Sequence, residues 1–427
     1  MASPQPTRRC FASGLVAAGC VAAGALLHGP ARAQSSARIV VIGGGFGGAT
    51  CARALKRLGF SVTLVEANAA YAACPMSNAC IAGLRDMSDQ LFGYDALGRE
   101  GVEMVYSLAT GIDAQARAVT LADGARIPYD RLVLAPGIEF VTGGLAGYDA
   151  ASAMRMPHAW NGAAQMQILR DQLRAMADGG TFVISVPDHP YRCPPAPYER
   201  ASLVAHYFRQ QKPRSKIIVL DAKDSFPRQK LFQAAWVRLY PGMIDWVPLS
   251  SSGKVTSVDA SGMSLGTDFD NIRCDVANVI PPQRAGAIAR IAGIADRSGW
   301  CPVDPLTFES TLQANIHVIG DAALLGAVPR SASAAHAEAL ACARAIAALF
   351  GGHATAAAEL ASVCHVFNAP NEAFAIAGVF QAGREGYADT DVASGPAVAD
   401  EPQARGQAAR QAAAWYEAIT HDVFGQG

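Results

Sequence analysis

Three sets of residues in this chain have types and spacing suited to chemistry. The first is Gly43, Gly45 and Gly48 in the run Ile39-Val40-Val41-Ile42-Gly43-Gly44-Gly45-Phe46-Gly47-Gly48-Ala49, with Glu66 closing the next apolar run. Such a loop builds a dinucleotide cradle. One glycine allows the tight turn, the second lets backbone approach a pyrophosphate, and the third brings the following helix against the strand. An acid placed like Glu66 hydrogen-bonds a ribose 2′-hydroxyl, which favours FAD or NAD and disfavours NADP. The second set is Cys193 and Glu199, a thiol and an acid beyond the carboxyl end of a strand, where open α/β sheets place their chemistry. The third is Gly320-Asp321, closing the strand-like run Ile316-His317-Val318-Ile319, where a carboxylate can meet the ribityl and phosphate groups of a flavin.

The elements that must position these residues read as α/β. Strand Ile39 to Ile42, helix Ala49 to Leu58 and strand Ser61 to Val65 make one βαβ unit. Strand-like runs follow at Gly101 to Tyr106 and Val119 to Leu121. Tyr129 to Leu134 then ends in Ala135-Pro136-Gly137, an apolar strand that returns to the nucleotide sheet and is stopped by Pro-Gly. A second unit begins near Met156, with helix Ala163 to Asp178, strand Thr181 to Val186, helix Tyr198 to Gln210 and strand Lys216 to Asp221. Its turn, Pro187-Asp188-His189-Pro190-Tyr191-Arg192-Cys193-Pro194-Pro195-Ala196-Pro197-Tyr198-Glu199, has prolines that lack N–H donors and no glycine for close approach. It is unsuited to a second pyrophosphate. An Ala-rich helix, Ser333 to Phe350, follows Asp321 and can direct its positive end at a reduced flavin. From His353 onward the chain is expected to be too short for a sheet domain. It should hold a flexible stretch from Ala388 to Ala404 and a helix from Gln407 to Ile419, which lacks the apolar stripe and basic face of a membrane anchor.

The 427 residues allow two or three domains. Thr7-Arg8-Arg9-Cys10-Phe11, the apolar stretch Leu15 to Leu27 and Ala31-Arg32-Ala33 read as a twin-arginine export signal cleaved after Ala33. The stretch is too short and too rich in Ala and Gly for a membrane span. Removing it takes away three arginines and no acid, so the formal net charge moves from −1 to −4, which argues against nucleic-acid binding. Cys10 and Cys20 leave with the signal, and Cys51, Cys74, Cys80, Cys193, Cys274, Cys301, Cys342 and Cys364 remain. In an oxidising periplasm eight cysteines allow about 105 full pairings, and spacing alone chooses none. Cys51, Cys80, Cys274 and Cys342 read as small buried hydrophobes. No C-x-x-C-H occurs, because Cys364-His365 lacks the earlier cysteine, so no c-type haem is expected on this chain. No metal site is assigned.

Several segments together resemble a known family. They are Tyr71-Ala72-Ala73-Cys74-Pro75-Met76-Ser77-Asn78, Ala135-Pro136-Gly137, Tyr191-Arg192-Cys193-Pro194-Pro195, Pro197-Tyr198-Glu199-Arg200, Pro281-Pro282-Gln283-Arg284-Ala285-Gly286, Gly299-Trp300-Cys301-Pro302-Val303-Asp304 and His317-Val318-Ile319-Gly320-Asp321. They resemble the flavoprotein subunit of flavocytochrome c sulfide dehydrogenase, in the disulfide reductase superfamily, and the likeness runs over the mature chain. The resemblance implies two Rossmann-like domains of the glutathione reductase type plus a small carboxy-terminal domain. Residues 34–150 with 300–352 would bind FAD, 151–299 would lack a nucleotide loop, and 353–427 would follow.

The resemblance also implies FAD joined through its 8α-methyl group to Cys74, with Gly43, Gly45, Gly48, Glu66, Ala135, Gly137, Gly320 and Asp321 around the cofactor. It implies a redox-active disulfide at Cys193 and Cys364, with Cys301 the competing partner of Cys193. Glu199 resembles an acid that manages protons near that disulfide, and a solvated helix-start glutamate is the alternative. Trp415 resembles an aromatic wall of the flavin pocket, with core packing the alternative. One departure is the segment Pro329-Arg330-Ser331-Ala332-Ser333-Ala334-Ala335-His336, where the family leads one to expect a larger aromatic residue, so pocket shape and cytochrome contact should differ. The implied activity is periplasmic oxidation of sulfide to zero-valent sulfur or polysulfide, with electrons passing to a haem on a c-type cytochrome subunit of a heterodimer. A sulfide:quinone oxidoreductase and a non-enzymatic flavoprotein partner of a sulfur-oxidising system are the alternatives.

Overall fold

The computed structural model describes residues 37–425 apart from 142, 385 and 391–401. The expected export signal and most of the stretch expected to be flexible lie outside these residues.

Strand β1 (Arg38–Ile42) buries four consecutive β-branched residues, as a strand covered on both faces must. Helix α1 (Phe46–Arg57) begins directly after Gly45, buries Ala49, Cys51, Ala52 and Leu55, and ends on Lys56 and Arg57, whose charges suit its negative end. Strand β2 (Ser61–Glu66) follows, then the short helix α2 (Ser77–Ile81) beyond the Cys74 loop, and strands β3 (Glu103–Tyr106) and β4 (Arg131–Leu134). The second unit contains α3 (Ala163–Ala175), β5 (Thr181–Val186), α4 (Ala196–Gln211), β6 (Lys216–Asp221), β7 (Ile244–Val247) and β8 (Val276–Val279). The chain then returns as β9 (Ile316–Val318) and α5 (Ala332–Gly351).

Two parallel sheets result, in the orders β9-β4-β1-β2-β3 and β7-β6-β5-β8. Because pairing in the first sheet is parallel, with Ile42 opposite both Val65 and Leu134 and Val318 opposite Leu134, all its strands end on one edge. The glycine loop, Glu66, Ala135-Pro136-Gly137 and Gly320-Asp321 therefore meet there, although they are far apart in sequence. Helix α5 is the one helix among the described residues long and apolar enough to cross a membrane, and it packs along α1 as a core helix.

The segment after His353 departs from expectation, because it does form a sheet. Strands β10 (Glu359–Ala369), β11 (Glu372–Gly383) and β12 (Gly386–Asp389) pair antiparallel, and α6 (Pro402–Phe424) packs on β11 and is longer than expected. Chain length misleads here because the sheet needs no core of its own: β10 lies against α4 and α5.

Candidate flavin and cysteine site

A cavity of about 470 Å3 opens on the carboxyl edge of the first sheet. Its cradle end is lined by Gly43, Gly45, Glu66, Ala135, Gly137, Gly320 and Asp321. Gly43 has φ +99°, and a Cβ there would lie 2.3 Å from the Ala135 carbonyl oxygen. Gly48 stands behind the loop, where a Cβ would lie 1.7 Å from the Gly43 carbonyl oxygen, so any larger residue forces helix and strand apart. The Glu66 carboxylate accepts from the Gly44 N–H at 2.7 Å and from the Asn68 N–H at 2.9 Å, which fixes it at the lip of the cradle.

On the other side, Gly320 donates its N–H to Glu338 Oε2 at 2.6 Å, and the Asp321 carbonyl accepts from Arg330 Nε at 2.9 Å. Burial raises the Asp321 carboxyl above the usual range, while Arg192 and Arg330 pull it down. Helix α5 is capped by Ser331, which accepts from the Ala334 N–H at 3.2 Å, and Ser331, Ala332 and Ser333 bring its amino end to the cavity wall. In this segment, which departs from the family's expected larger aromatic residue, the small side chains of Ser331, Ala332, Ser333 and Ala335 line the pocket, and Ser333 Oγ accepts from the Val363 N–H at 3.1 Å.

The same cavity is also lined by Cys74, Cys193, Cys364, Glu199 and Trp415. All three cysteines are free thiols. Cys193 adopts the left-handed region at φ +56°, costly for a residue with a side chain. Its N–H donates to the Arg330 carbonyl at 2.9 Å and its carbonyl accepts from the Ala196 N–H at 3.0 Å, so the turn presents the thiol just before α4. Cys364 comes from β10. Cys301 is fully buried in a short strand paired with Ala323 and is not among the residues lining this cavity. A hydrogen bond between Cys193 and Cys74 lowers the Cys74 thiol below its ordinary value, with help from Arg192, and the same bond raises Cys193. Burial pushes Cys364 up to about 11.

Glu199, in the first turn of α4, is not a solvated helix-start residue. Its Oε1 accepts from the Phe367 N–H at 2.9 Å and its Oε2 from Asn78 Nδ2 at 2.7 Å, and burial pushes its carboxyl up to about 7. The Trp415 ring faces the cavity 5.3 Å from the His365 ring. Cys51, Cys80, Cys274 and Cys342 are all buried. Asn78, Arg192, Arg200 and Glu338 take part in the site without having been singled out in the sequence. The first three stand inside the family-like segments, and Glu338 could have been noticed as the lone acid of an Ala-rich helix.

The turn after β5 is filled by the protein itself. Asp221 ends β6 as Glu66 ends β2, but its carboxylate accepts from Tyr198 Oη, Lys223 Nζ and Trp246 Nε1. Lys223 also donates to the Pro187 carbonyl at 2.9 Å, and the Tyr198 ring stacks on Phe226 with centroids 3.6 Å apart. The acid that could meet a second ribose is thus occupied.

One nucleotide cradle, a cysteine-lined end to the same cavity and a second α/β unit with its own crevice filled define a flavin-binding oxidoreductase of the disulfide reductase type. Comparison with known proteins agrees. Residues 37–169 match the pyridine nucleotide-disulphide oxidoreductases, 166–281 the central part of the sulfide dehydrogenase (flavocytochrome c) flavoprotein chain, and 356–424 the flavin-binding part of flavocytochrome c sulphide dehydrogenase. The chain is 57% identical over 44 residues to the sulfide dehydrogenase (flavocytochrome c) flavoprotein chain of Chlorobaculum thiosulfatiphilum, a match covering 10% of this chain and 92% of that sequence. It is 24% identical over 303 residues to the mitochondrial sulfide:quinone oxidoreductase of Mus musculus, spanning 68% of this chain and 66% of that relative's length. The X-ray structure of the sulfide:quinone oxidoreductase from Aquifex aeolicus shares the fold, with a TM-score of 0.73 at 18% identity over 92% of this chain and 93% of that one. The chain belongs to the family of flavocytochrome c sulfide dehydrogenase flavoprotein chains.

Proposed function

We propose that this chain oxidises sulfide with bound FAD and the cysteine pair Cys193 and Cys364, and passes the electrons to a c-type cytochrome in the periplasm. One observation supports the reading: Cys74, Cys193 and Cys364, from three distant parts of the chain, line the same cavity as the glycine cradle. The cradle and Glu66 would hold the adenosine and pyrophosphate, Gly320-Asp321 the ribityl side, Trp415 the ring, and Cys74 the covalent bond. Bound FAD supplies a carrier that takes up electrons in pairs and releases them singly.

Hydrosulfide attacks one sulfur of the oxidised Cys193–Cys364 pair. The old S–S bond breaks, a new one leaves a persulfide on one cysteine, and the other departs as a thiolate. Glu199, with a carboxyl raised to about 7, exchanges protons with these groups near neutral pH, and the Arg192 guanidinium attracts the Cys193 thiolate. A second hydrosulfide takes the outer sulfur from the cysteine persulfide and leaves as hydrogen disulfide (HSS−), the start of a polysulfide, so both cysteines are left reduced. Re-forming the Cys193–Cys364 bond then releases one electron pair, which the bound carrier would accept. The twin-arginine segment supports a periplasmic location, which cell fractionation tests.

The names of the mouse and Aquifex relatives favour a second reading, in which a quinone is the acceptor. The test is anaerobic addition of sulfide to the holoprotein, followed by oxidised cytochrome c, with and without a cytochrome subunit, or a short-chain quinone. The flavin should bleach with sulfide and recover its colour as cytochrome is reduced. Recovery with quinone alone selects the second reading, and a flavin that sulfide does not bleach refutes both.

A further inference from the structure

Asn78 is the second residue of α2, just beyond the Cys74 loop, and is buried. Its carbonyl oxygen accepts from Arg200 Nε at 2.9 Å, while its amide nitrogen donates to Glu199 Oε2 at 2.7 Å and to the Ala196 carbonyl at 3.0 Å. The amide has one workable orientation. Turned over, its NH2 would face the guanidinium and its oxygen the carboxyl group, two like-with-like contacts away from water. Arg200 is itself fixed by Asn278 Oδ1, by the Ala159 carbonyl at 2.8 Å and by the Trp160 ring beneath it. A cation therefore polarises an amide that points at a carboxyl group, and each bond strengthens the next. The far oxygen of Glu199 accepts from Phe367, on the strand that carries Cys364, and α4 begins just after Cys193. One carboxyl group ties together the two segments that hold the cysteines, and Asn78 ties it to the segment that holds Cys74.

We propose that Asn78 is the positioning residue of this site: oriented by Arg200, it holds Glu199 against Phe367, favours the carboxylate form, and so fixes the pH at which Glu199 exchanges protons with the cysteine pair. The proposal rests on the reading of Glu199 as the proton-exchanging acid of a sulfide-oxidising pair. The titratable and charged groups facing Glu199 are Cys74 before α2, Cys193 before α4, Cys364 on β10 and Arg200 on α4 itself. Burial opposes the carboxylate, and Arg200, Asn78 and the Phe367 N–H favour it; the cysteines oppose it only as free thiolates, so their effect falls away where Cys74 carries flavin and Cys193 and Cys364 are paired.

The test uses the holoprotein. Asn78→Asp keeps an acceptor for Arg200 and sets a second carboxyl group against Glu199, and Asn78→Leu removes both bonds at similar volume. Both should move upward the titration midpoint of the infrared carboxyl band that Glu199→Gln abolishes, Asn78→Asp by at least about one pH unit, and the midpoint of sulfide bleaching should follow. In a Glu199→Gln background, the neutral substitution Asn78→Leu should no longer move the bleaching midpoint. Should both variants fail to hold flavin, Asn78→Ser, which still offers Arg200 an acceptor at lower bulk, carries the same titration. An infrared midpoint unmoved by these substitutions overturns the proposal whatever the bleaching does. If sulfide fails to bleach the unmodified protein, the sulfide reading falls, and the infrared titration still decides the role of Asn78.

Discussion

Glu338 offers a test of how the cradle is supported. It is 3% exposed, its Oε2 accepts from the Gly320 N–H at 2.6 Å, and burial pushes its carboxyl from the ordinary 4.5 up to about 8, with Asp321 acting in the same direction and the Gly320 N–H and Arg330 against. Between those values the folded chain holds a proton that the unfolded chain has lost, so stability falls as pH rises. The contribution is complete below the ordinary value and is gone once pH has passed through the raised one. A shift of this size sets a ceiling of about 5 kcal/mol, and relaxation around the charge leaves on the order of 2–4 kcal/mol. Glu338→Gln keeps an oxygen for the Gly320 N–H and removes the titration. At pH 5 the variant and the unmodified protein should melt together. At pH 9 the variant should melt roughly 2–5 °C higher, since a chain of this length moves about 1 °C per kcal/mol. Thermal melts of the holoprotein at one scan rate across this pH range check the difference. Curves that run parallel at every pH would refute a neutral, buried carboxyl group beneath Gly320.

Gly48→Ala places a Cβ against the Gly43 carbonyl, so the variant should be purified with less than about a tenth of the normal flavin; full yellow colour would show that the loop can yield. Cys193→Ser and Cys364→Ser should keep the flavin and lose its bleaching by sulfide, whereas Cys301→Ser should bleach normally; loss with Cys193→Ser and Cys301→Ser but not with Cys364→Ser would restore Cys301 as the partner of Cys193. For Cys74, acid precipitation decides: colour should stay with the unmodified protein and pass into the supernatant with Cys74→Ala, and release from both would end the covalent assignment.

The first βαβ unit was legible because its signals are local. Four buried β-branched residues, a glycine loop and an acid after the next strand all fall within about thirty residues. Strands Thr181–Val186 and Lys216–Asp221 were legible from apolar runs between turn residues and are found with those bounds. The carboxy-terminal sheet was not. Its strands bury side chains against α4, α5 and α6, and chain length carries no information about a surface that other segments provide. The bonds among Asn78, Glu199 and Arg200 join residues about 120 positions apart and follow no periodicity, so only the family-like segments pointed toward them. The meeting of three thiols in one cavity is a result of parallel strand ends and a returning sheet, which spacing cannot express.

The occupied carboxylate of Asp221 reaches beyond the domain that contains it. With its oxygens engaged by Tyr198, Lys223 and Trp246, Asp221 is held inside the second α/β unit and is not turned toward a ribose, as the acid of a nicotinamide site would be. In the proposed reaction the flavin is then insulated from the cell's nicotinamide pool. In that reaction the cysteines would be the one entry for electrons, and the acceptor would have to meet the flavin without the second unit's help.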